Sequence, residues 1–534
     1  MLTISLAMGQ LTFHIERLHG AIGDEFRMGF IDRVLVSGRS FWFYILKFLF
    51  PHSLTFIYPR WVIDATDWRQ YLYPIATAGL LIGLWCVRKR AGKGMFVAGM
   101  HFYVTTSFLV LIQVLYMMRY SFVTDHWQYY GLMGMAALAA SGITWVLNKM
   151  PDRSGLPGIL TVGLLLATLG ILTWRQARIY QNEETLWRDT LAKNPGAWLA
   201  HNNLGSILLN RGDVHQAMTA FERTLQLHPG YAEGHANLAN ALCDIGKIEE
   251  AIPHYQDALR EMPEHPGFNN AYGAALMRLG RTEAAVEHFR AAFRAPPAEA
   301  AMAHNNLGSA LVVLGQDDAA IQEFLEALRL DPNRANTRTS YADLIAKRGM
   351  AREAIEQYRR VLKQVPNYGP AHKGLADVLT RDGNRADAKW HYFAALQSNF
   401  NSADVHCQLG LILASEGDKA AAVLHLRDAV RLNPNSVEAL NALAWLLATA
   451  SETGLRSGEE AVRLSEHAAR LTGFKNGSVL DTLSAAYAES GRFDQAVATA
   501  GRAVELANAT GDSRLATNIT ARLHRYKEGQ PYRE

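Results

Sequence analysis

Two patterns of apolar residues divide the chain near residue 178. Before it they come in long runs. After it they are spaced through a charged, Ala-rich, helix-favouring sequence almost without β-rich segments. Four of the early runs approach or reach the roughly 20 residues that cross a bilayer: Leu72 to Val87, Met95 to Met117, Tyr130 to Leu147 and Leu156 to Trp174. Four such runs in succession, separated by charged breaks, fit spanning helices better than the buried helices of a soluble core.

The placement of cations predicts their orientation. "RKRAGK" (Arg88 to Lys93) is the densest basic cluster beside these helices, and "NKMPDR" (Asn148 to Arg153) closes the next hairpin on the same side, so both loops are expected in the cytoplasm. "RYSFVTDHWQYY" (Arg119 to Tyr130) and everything after Trp174 then fall on the outer face. Upstream, Ser40 to Trp61 is aromatic-rich but broken by Lys47, Pro51 and His52, and reads as an interfacial or re-entrant segment. The first 20 residues carry no basic n-region and no small-residue cleavage site; they read as the tail of a membrane helix rather than a signal peptide.

From Trp198 the sequence repeats every 34 residues with one small slip. "HNNLGSILL" at His201 returns as "HNNLGSALV" at His304, with "HANLANALC" at His235 between them. The first unit shows Leu204-Gly205, Gly212, Ala217, Phe221 and Pro229; the second shows Leu238-Ala239, Gly246, Ala251, Tyr255 and Pro263. The series continues through Tyr272-Gly273 to Pro297, Leu307-Gly308 to Pro332, Tyr341 to Pro366, and Leu375 to Ala395. Less regular units follow at Leu409-Gly410, at Leu443-Ala444 with "ATASETGLRSG" inserted, and at Leu483. A small residue lets two antiparallel helices approach, Gly supplies a left-handed turn between them, and Pro marks the next break. This pattern resembles the tetratricopeptide repeat in about nine units, and "ETLWRDTLAKNP" (Glu184 to Pro195) resembles the second helix of a half repeat running straight on from the last membrane helix.

The resemblance implies an all-α chain: multi-pass transmembrane helices followed by an α-solenoid, whose stacked pairs make a long curved surface. The expected divisions are a partial membrane region over 1–70, transmembrane helices over 71–178, a connecting helix over 179–197, the solenoid over 198–510, and a capping helix and tail over 511–534. In this family the first helix of each unit faces the concave side, which would align Asn203, Asn237 and Asn306 along the groove. Such a row is similar to the asparagine ladder of O-GlcNAc transferases, where amides hold a peptide backbone; Asn offers both donor and acceptor. A solvated Asn is the alternative reading, and Ala271 and Ser340 interrupt the row. The implied partners are proteins or extended peptides and the lipid bilayer.

Composition adds mainly exclusions. A net charge of +3 over 534 residues gives no field for nucleic acid, so no nucleic-acid partner is expected. Cys86, Cys243 and Cys407 lie too far apart in sequence for redox or zinc-ligand spacing. No phosphate loop, GxSxG elbow or HExxH motif occurs, so neither a catalytic residue nor a metal site nor a cofactor is assigned.

The aromatic segment, the "SFVTDHWQYY" loop and directly attached repeats together resemble the later part of bacterial relatives of transmembrane O-mannosyltransferases that carry tetratricopeptide repeats. That resemblance implies a polyprenyl-phosphate-sugar donor as the alternative cofactor, a lipid-linked sugar as partner, and repeats that recruit the acceptor; the Ala-rich repeats separately suit a bacterium, and with the predicted orientation an inner membrane with the repeats periplasmic. It also implies an N-terminal acidic motif that nothing here matches, as if an N-terminal part were missing. Arg119 and His126 are its lipid-phosphate candidates, against an ordinary interfacial loop. Asp64 and Asp67 in "WVIDATDW" could form a carboxylate pair for base catalysis, against a solvated turn.

Overall fold

The computed structural model describes residues 28–91, 93–108, 121, 123, 129–147 and 156–534. Among them there are helices and turns and no strand. The chain forms two units, 1–279 and 280–534.

The first unit opens with α1 (Phe30–Leu49), a 20-residue helix that contains the first half of the aromatic segment predicted to be interfacial or re-entrant. Lys47, Pro51 and His52 are the residues that set this segment apart from a clean membrane span. Pro51 lies just beyond the helix end, where a proline is expected, and Lys47 donates to the His52 carbonyl at 2.6 Å. Between α1 and the next turn of helix, residues 50–67 are irregular. Phe41 and Tyr44 of α1 meet Tyr58, Phe102 and Val123 in an aromatic cluster. After a 3-10 turn (Trp68–Tyr71) come α2 (Leu72–Ala91) and α3 (Lys93–Tyr103), which passes into a π turn at Val104–Phe108. A Cβ on Gly38 would stand 2.5 Å from the Pro74 nitrogen, so this glycine permits the close approach of α1 to α2.

Beyond α4 (Tyr129–Leu147) and α5 (Leu156–Ile179) the chain breaks before α6 (Glu183–Lys193). The expected straight run from α5 into the half repeat is therefore corrected: Asn182 caps α6 by accepting from the Thr185 amide at 2.9 Å, and such a cap requires a non-helical residue there. Lys193 and Asn194 then reach back to the carbonyls of Leu54 and Ile57, tying the irregular segment to α6.

Helix pairs follow in this unit as α7 (Trp198–Arg211) with α8 (Val214–Leu227), and α9 (Ala232–Asp244) with α10 (Ile248–Glu261), ending in α11 (Pro266–Arg278). The second unit begins with α12 (Thr282–Ala291) and continues in pairs: α13 (Pro297–Val313) with α14 (Asp317–Leu330), α15 (Ala335–Lys347) with α16 (Ala351–Gln364), and α17 (Gly369–Arg381) with α18 (Arg385–Gln397). Then come α19 (Ala403–Ser415) with α20 (Lys419–Leu432), α21 (Val437–Thr449) with α22 (Gly458–Leu471), and α23 (Gly477–Glu489) with α24 (Phe493–Ala509), before α25 (Ser513–Lys527).

Two sequence rules explain the pairs. Gly212 adopts φ +91° and Gly315 φ +72°, left-handed turns that a side chain would strain. Inside the pairs up to α17–α18 a large ring from the second helix sits against the small residue of the first, and in α19–α20 Leu426 takes that place against Gly410. Phe221 and Phe324 are buried at 0% and 1% exposure, and a Cβ on Gly205 or Gly308 would come within 2.6 or 2.7 Å of those rings. Where the ring is tyrosine, its hydroxyl finds an acceptor on the first helix: Tyr255 donates to Asn240 at 2.6 Å and Tyr392 to Asp377 at 2.7 Å. One expectation fails locally. Pro297 does not close its unit but starts α13, which begins early and runs to 17 residues; proline suits the first helical turn because its missing N–H would have no partner there.

Candidate functional site

The asparagines singled out from sequence fall in different units. Asn203 and Asn237 lie half-buried on α7 and α9 of the first unit, and Asn306 lies on α13 of the second. Within the first unit the amides bond one another: Asn237 Nδ2 donates to Asn202 Oδ1 at 3.0 Å, and Asn202 Nδ2 to Asn203 Oδ1 at 3.4 Å. In the second, Asn305 Nδ2 donates to Asn306 Oδ1 at 3.3 Å. The neighbouring fifth position, occupied by Asn202, Asn305 and Asn441, lies outside that predicted row, although "HNN" occurs twice in the sequence. Asn202 and Asn305 are buried, and the side-chain oxygens of Asn305 and Asn441 have no protein partner.

Asn441 faces a cavity of about 550 Å³ in the second unit, walled by first helices α19, α21 and α23 together with Lys419 and Arg522. Trp445 also lines it. This residue occupies the position filled by Ser206 and Ser309 in other repeats, and that substitution of a large ring for a small polar residue is the signal by which sequence could have marked the groove.

The end of the chain enters this groove. After α25, residues 530–534 take no regular structure. The Glu534 amide donates to the Thr449 carbonyl at 2.9 Å, Lys419 Nζ donates to the Glu534 main-chain oxygen at 2.8 Å, and Trp445 Nε1 donates to Glu534 Oε2 at 2.7 Å. Arg533 pairs with Glu489 at 2.6 Å, and the Tyr532 ring lies 5.9 Å from that of Trp445. Arg522 stands over both rings, 5.2 Å from Trp445 and 5.4 Å from Tyr532, a cation–π arrangement.

Arg522 is itself fixed by a two-pronged pair with Asp481, at 3.0 and 2.6 Å. The two side chains are 11% and 7% exposed. Burial pushes the Asp481 carboxyl above the usual carboxylate range, and the guanidinium opposes it. The groove can therefore hold an extended chain through a main-chain acceptor, a lysine, an indole N–H and a stacking guanidinium.

The remaining candidates are not brought to this site. Arg119 and His126 lie outside the described residues. Asp64 accepts from the amide and hydroxyl of Thr66 at 2.8 and 2.6 Å, and Asp67 accepts from the Arg69 amide at 3.0 Å. Both carboxylates thus cap local turns, and the Thr66 bonds hold Asp64 below the usual range.

Family models described as tetratricopeptide repeat match residues 184–232, 236–300, 275–335 and 403–436. These models describe the repeats alone and give no support to the mannosyltransferase resemblance. No curated protein matches the chain. Similar solved structures include a tetratricopeptide repeat protein from Parabacteroides merdae, with 19% identity over 46% of this chain and 97% of that one at a TM-score of 0.39. PilF of Pseudomonas aeruginosa shows 21% identity over 45% of this chain and 94% of its own, TM-score 0.31. A thermophilic repeat protein of Thermus thermophilus shows 26% identity over 34% and 100%, TM-score 0.31. Family models and helix-pair geometry agree that the chain carries tetratricopeptide repeats.

Proposed function

We propose that the second unit binds an extended polypeptide segment in the groove of α19, α21 and α23. Protein binding is the general work of such repeats. The observation that carries the finer reading is residues 530–534 lying there without regular structure, held at both main-chain and side-chain atoms. A chain ending at Gln530 should bind a labelled peptide of sequence EGQPYRE in trans, read by fluorescence anisotropy. Truncating Lys419 and Trp445 to Ala should weaken that binding by tenfold or more, about 1.4 kcal/mol. Equal affinity for the truncated chain and its double variant would remove the reading.

We further propose that α2 and α5 anchor the protein in a bilayer, with the repeats outside the cytoplasm. Residues 68–90 and 158–179 are long and apolar enough to cross a membrane. Their large side chains are turned outward, Ile75 at 64% exposure and Leu164 at 72%, which is costly in water over so many residues. Arg88, Lys89 and Arg90 end α2, and this cationic end supports a cytoplasmic loop there. A phosphatase that folds only outside the cytoplasm, fused after Glu534, should be active in the membrane fraction. Inactive phosphatase would overturn the orientation, and recovery of the chain in the soluble fraction would overturn the anchor.

A further inference from the structure

The repeats carry a second recurring device, at the fourth position of the first helix. His235 on α9 places Nε2 2.8 Å from the Pro229 carbonyl oxygen. A carbonyl only accepts, so Nε2 bears the proton and Nδ1 presents its lone pair. That Nδ1 lies 3.1 Å from Nδ1 of His254 on the facing helix α10. One helical turn on, Asp257 Oδ2 stands 3.9 Å from His235 Nδ1, while its Oδ1 is held by Arg260 at 2.6 Å. One ligand atom from each of His235, His254 and Asp257 lies within 4.8 Å of the other two.

We propose that His235, His254 and Asp257 bind a divalent transition-metal ion of the zinc class. Two imidazole nitrogens and one carboxylate oxygen make a donor set suited to Zn²⁺. Zn–N bonds of about 2.05 Å at a tetrahedral angle separate the nitrogens by ~3.3 Å, close to the spacing found here, so replacing the shared proton by a metal demands little movement. The outer contacts fit the same purpose. A metal-binding histidine usually donates its other N–H to a carbonyl, which fixes the ring and its tautomer, as Pro229 does for His235. Arg260 similarly holds the far oxygen of Asp257, which turns the near one toward His235.

The second unit repeats the spacing with His406, His425 and Asp428. His406 Nδ1 is 3.0 Å from His425 Nδ1 and 4.0 Å from Asp428 Oδ2. His406 Nε2 lies 2.9 Å from Asn401 Oδ1, and Arg431 takes Asp428 Oδ1 at 2.8 Å. A third pair, His372 with His391 at 2.9 Å, has Ala394 where the carboxylate would stand. It provides an internal control for the need of a third ligand.

The full chain, purified without a polyhistidine tag and dialysed, should be titrated with Zn²⁺ by calorimetry, and with Co²⁺ for the visible bands of a four-coordinate ion. His254→Gln should remove one equivalent from the wild-type stoichiometry, and Asp257→Asn should weaken that equivalent by about tenfold or more. His391→Gln should change neither value. Gln is tolerated at this position, because Gln357 already occupies it opposite Arg338 at 2.8 Å. Variants are compared only where their helical circular dichroism equals the wild type, and Asp257→Asn, at a one-third-exposed residue, supplies a test independent of core packing. Unchanged stoichiometry in His254→Gln with unchanged affinity in Asp257→Asn would overturn the site. So would the absence of saturable binding below millimolar Zn²⁺ in the wild type, which would leave the pair as two histidines sharing a proton.

Discussion

Arg522→Ala should destabilise the second unit by about 3–5 kcal/mol at neutral pH, because it leaves the Asp481 carboxylate buried without its counter-ion. The two bonds it removes, at 3.0 and 2.6 Å, are the only hydrogen bonds from a cation to Asp481 among the described residues. Urea unfolding followed by circular dichroism measures the loss, and a deficit below about 1 kcal/mol would show that water reaches Asp481. Replacing both members, Asp481→Leu with Arg522→Met, should cost far less, since no charge is then stranded. The pH dependence has a definite sign. Burial raises the folded-state pKa of Asp481 above its unfolded value, so the folded protein binds the proton more tightly. The stabilising term is complete below the unfolded pKa and is lost as pH rises through the folded one. Removing Arg522 raises the folded value further, so the deficit of Arg522→Ala should shrink as the solution is acidified through that pKa.

The repeats were legible because each needs few residue types at fixed offsets, and every one of those types answers a local constraint. Gly212 and Gly315 are required by positive φ, Gly205 and Gly308 by a ring within 3 Å, and Phe221 or Tyr255 by the space between helices. The irregular pieces were harder to read. In the repeat pattern Pro297 reads as a terminator, yet the same missing N–H lets it begin a helix, and only the early start of α13 distinguishes the two. In the Ser40–Trp61 segment the helix runs to Leu49 and its cation is satisfied by a carbonyl five residues on, a contact that hydropathy does not register. The groove of the second unit was not legible in the asparagine row. Asn203 and Asn237 lie in the first unit with their amides engaged with Asn202, while the contacts to the chain's own tail come from Lys419, Thr449 and Trp445. None of these follows the 34-residue period, and a site made by departures from a repeat is invisible to a search for the repeat itself.

The same period can be tested at Gly308 and Phe324. Phe324→Ala should cost about 3–5 kcal/mol, the sum of lost burial and the cavity left under a ring that is 1% exposed. Gly308→Val should cost about 1–3 kcal/mol by overpacking, since even a Cβ there would come within 2.7 Å of the ring edge. The two losses arise from opposite errors in one space. The double variant should therefore be more stable than the sum predicts, by 0.5–3 kcal/mol, which is the range of coupling for residues in contact. Urea unfolding of the wild type, both single variants and the double variant closes the cycle. Strict additivity would mean that α13 and α14 relax apart when either residue changes, and that the glycine serves helix geometry rather than the ring. A positive coupling would establish that this repeat is specified by complementary volume, small on the first helix and large on the second, and that the alternation seen along the sequence is a packing rule.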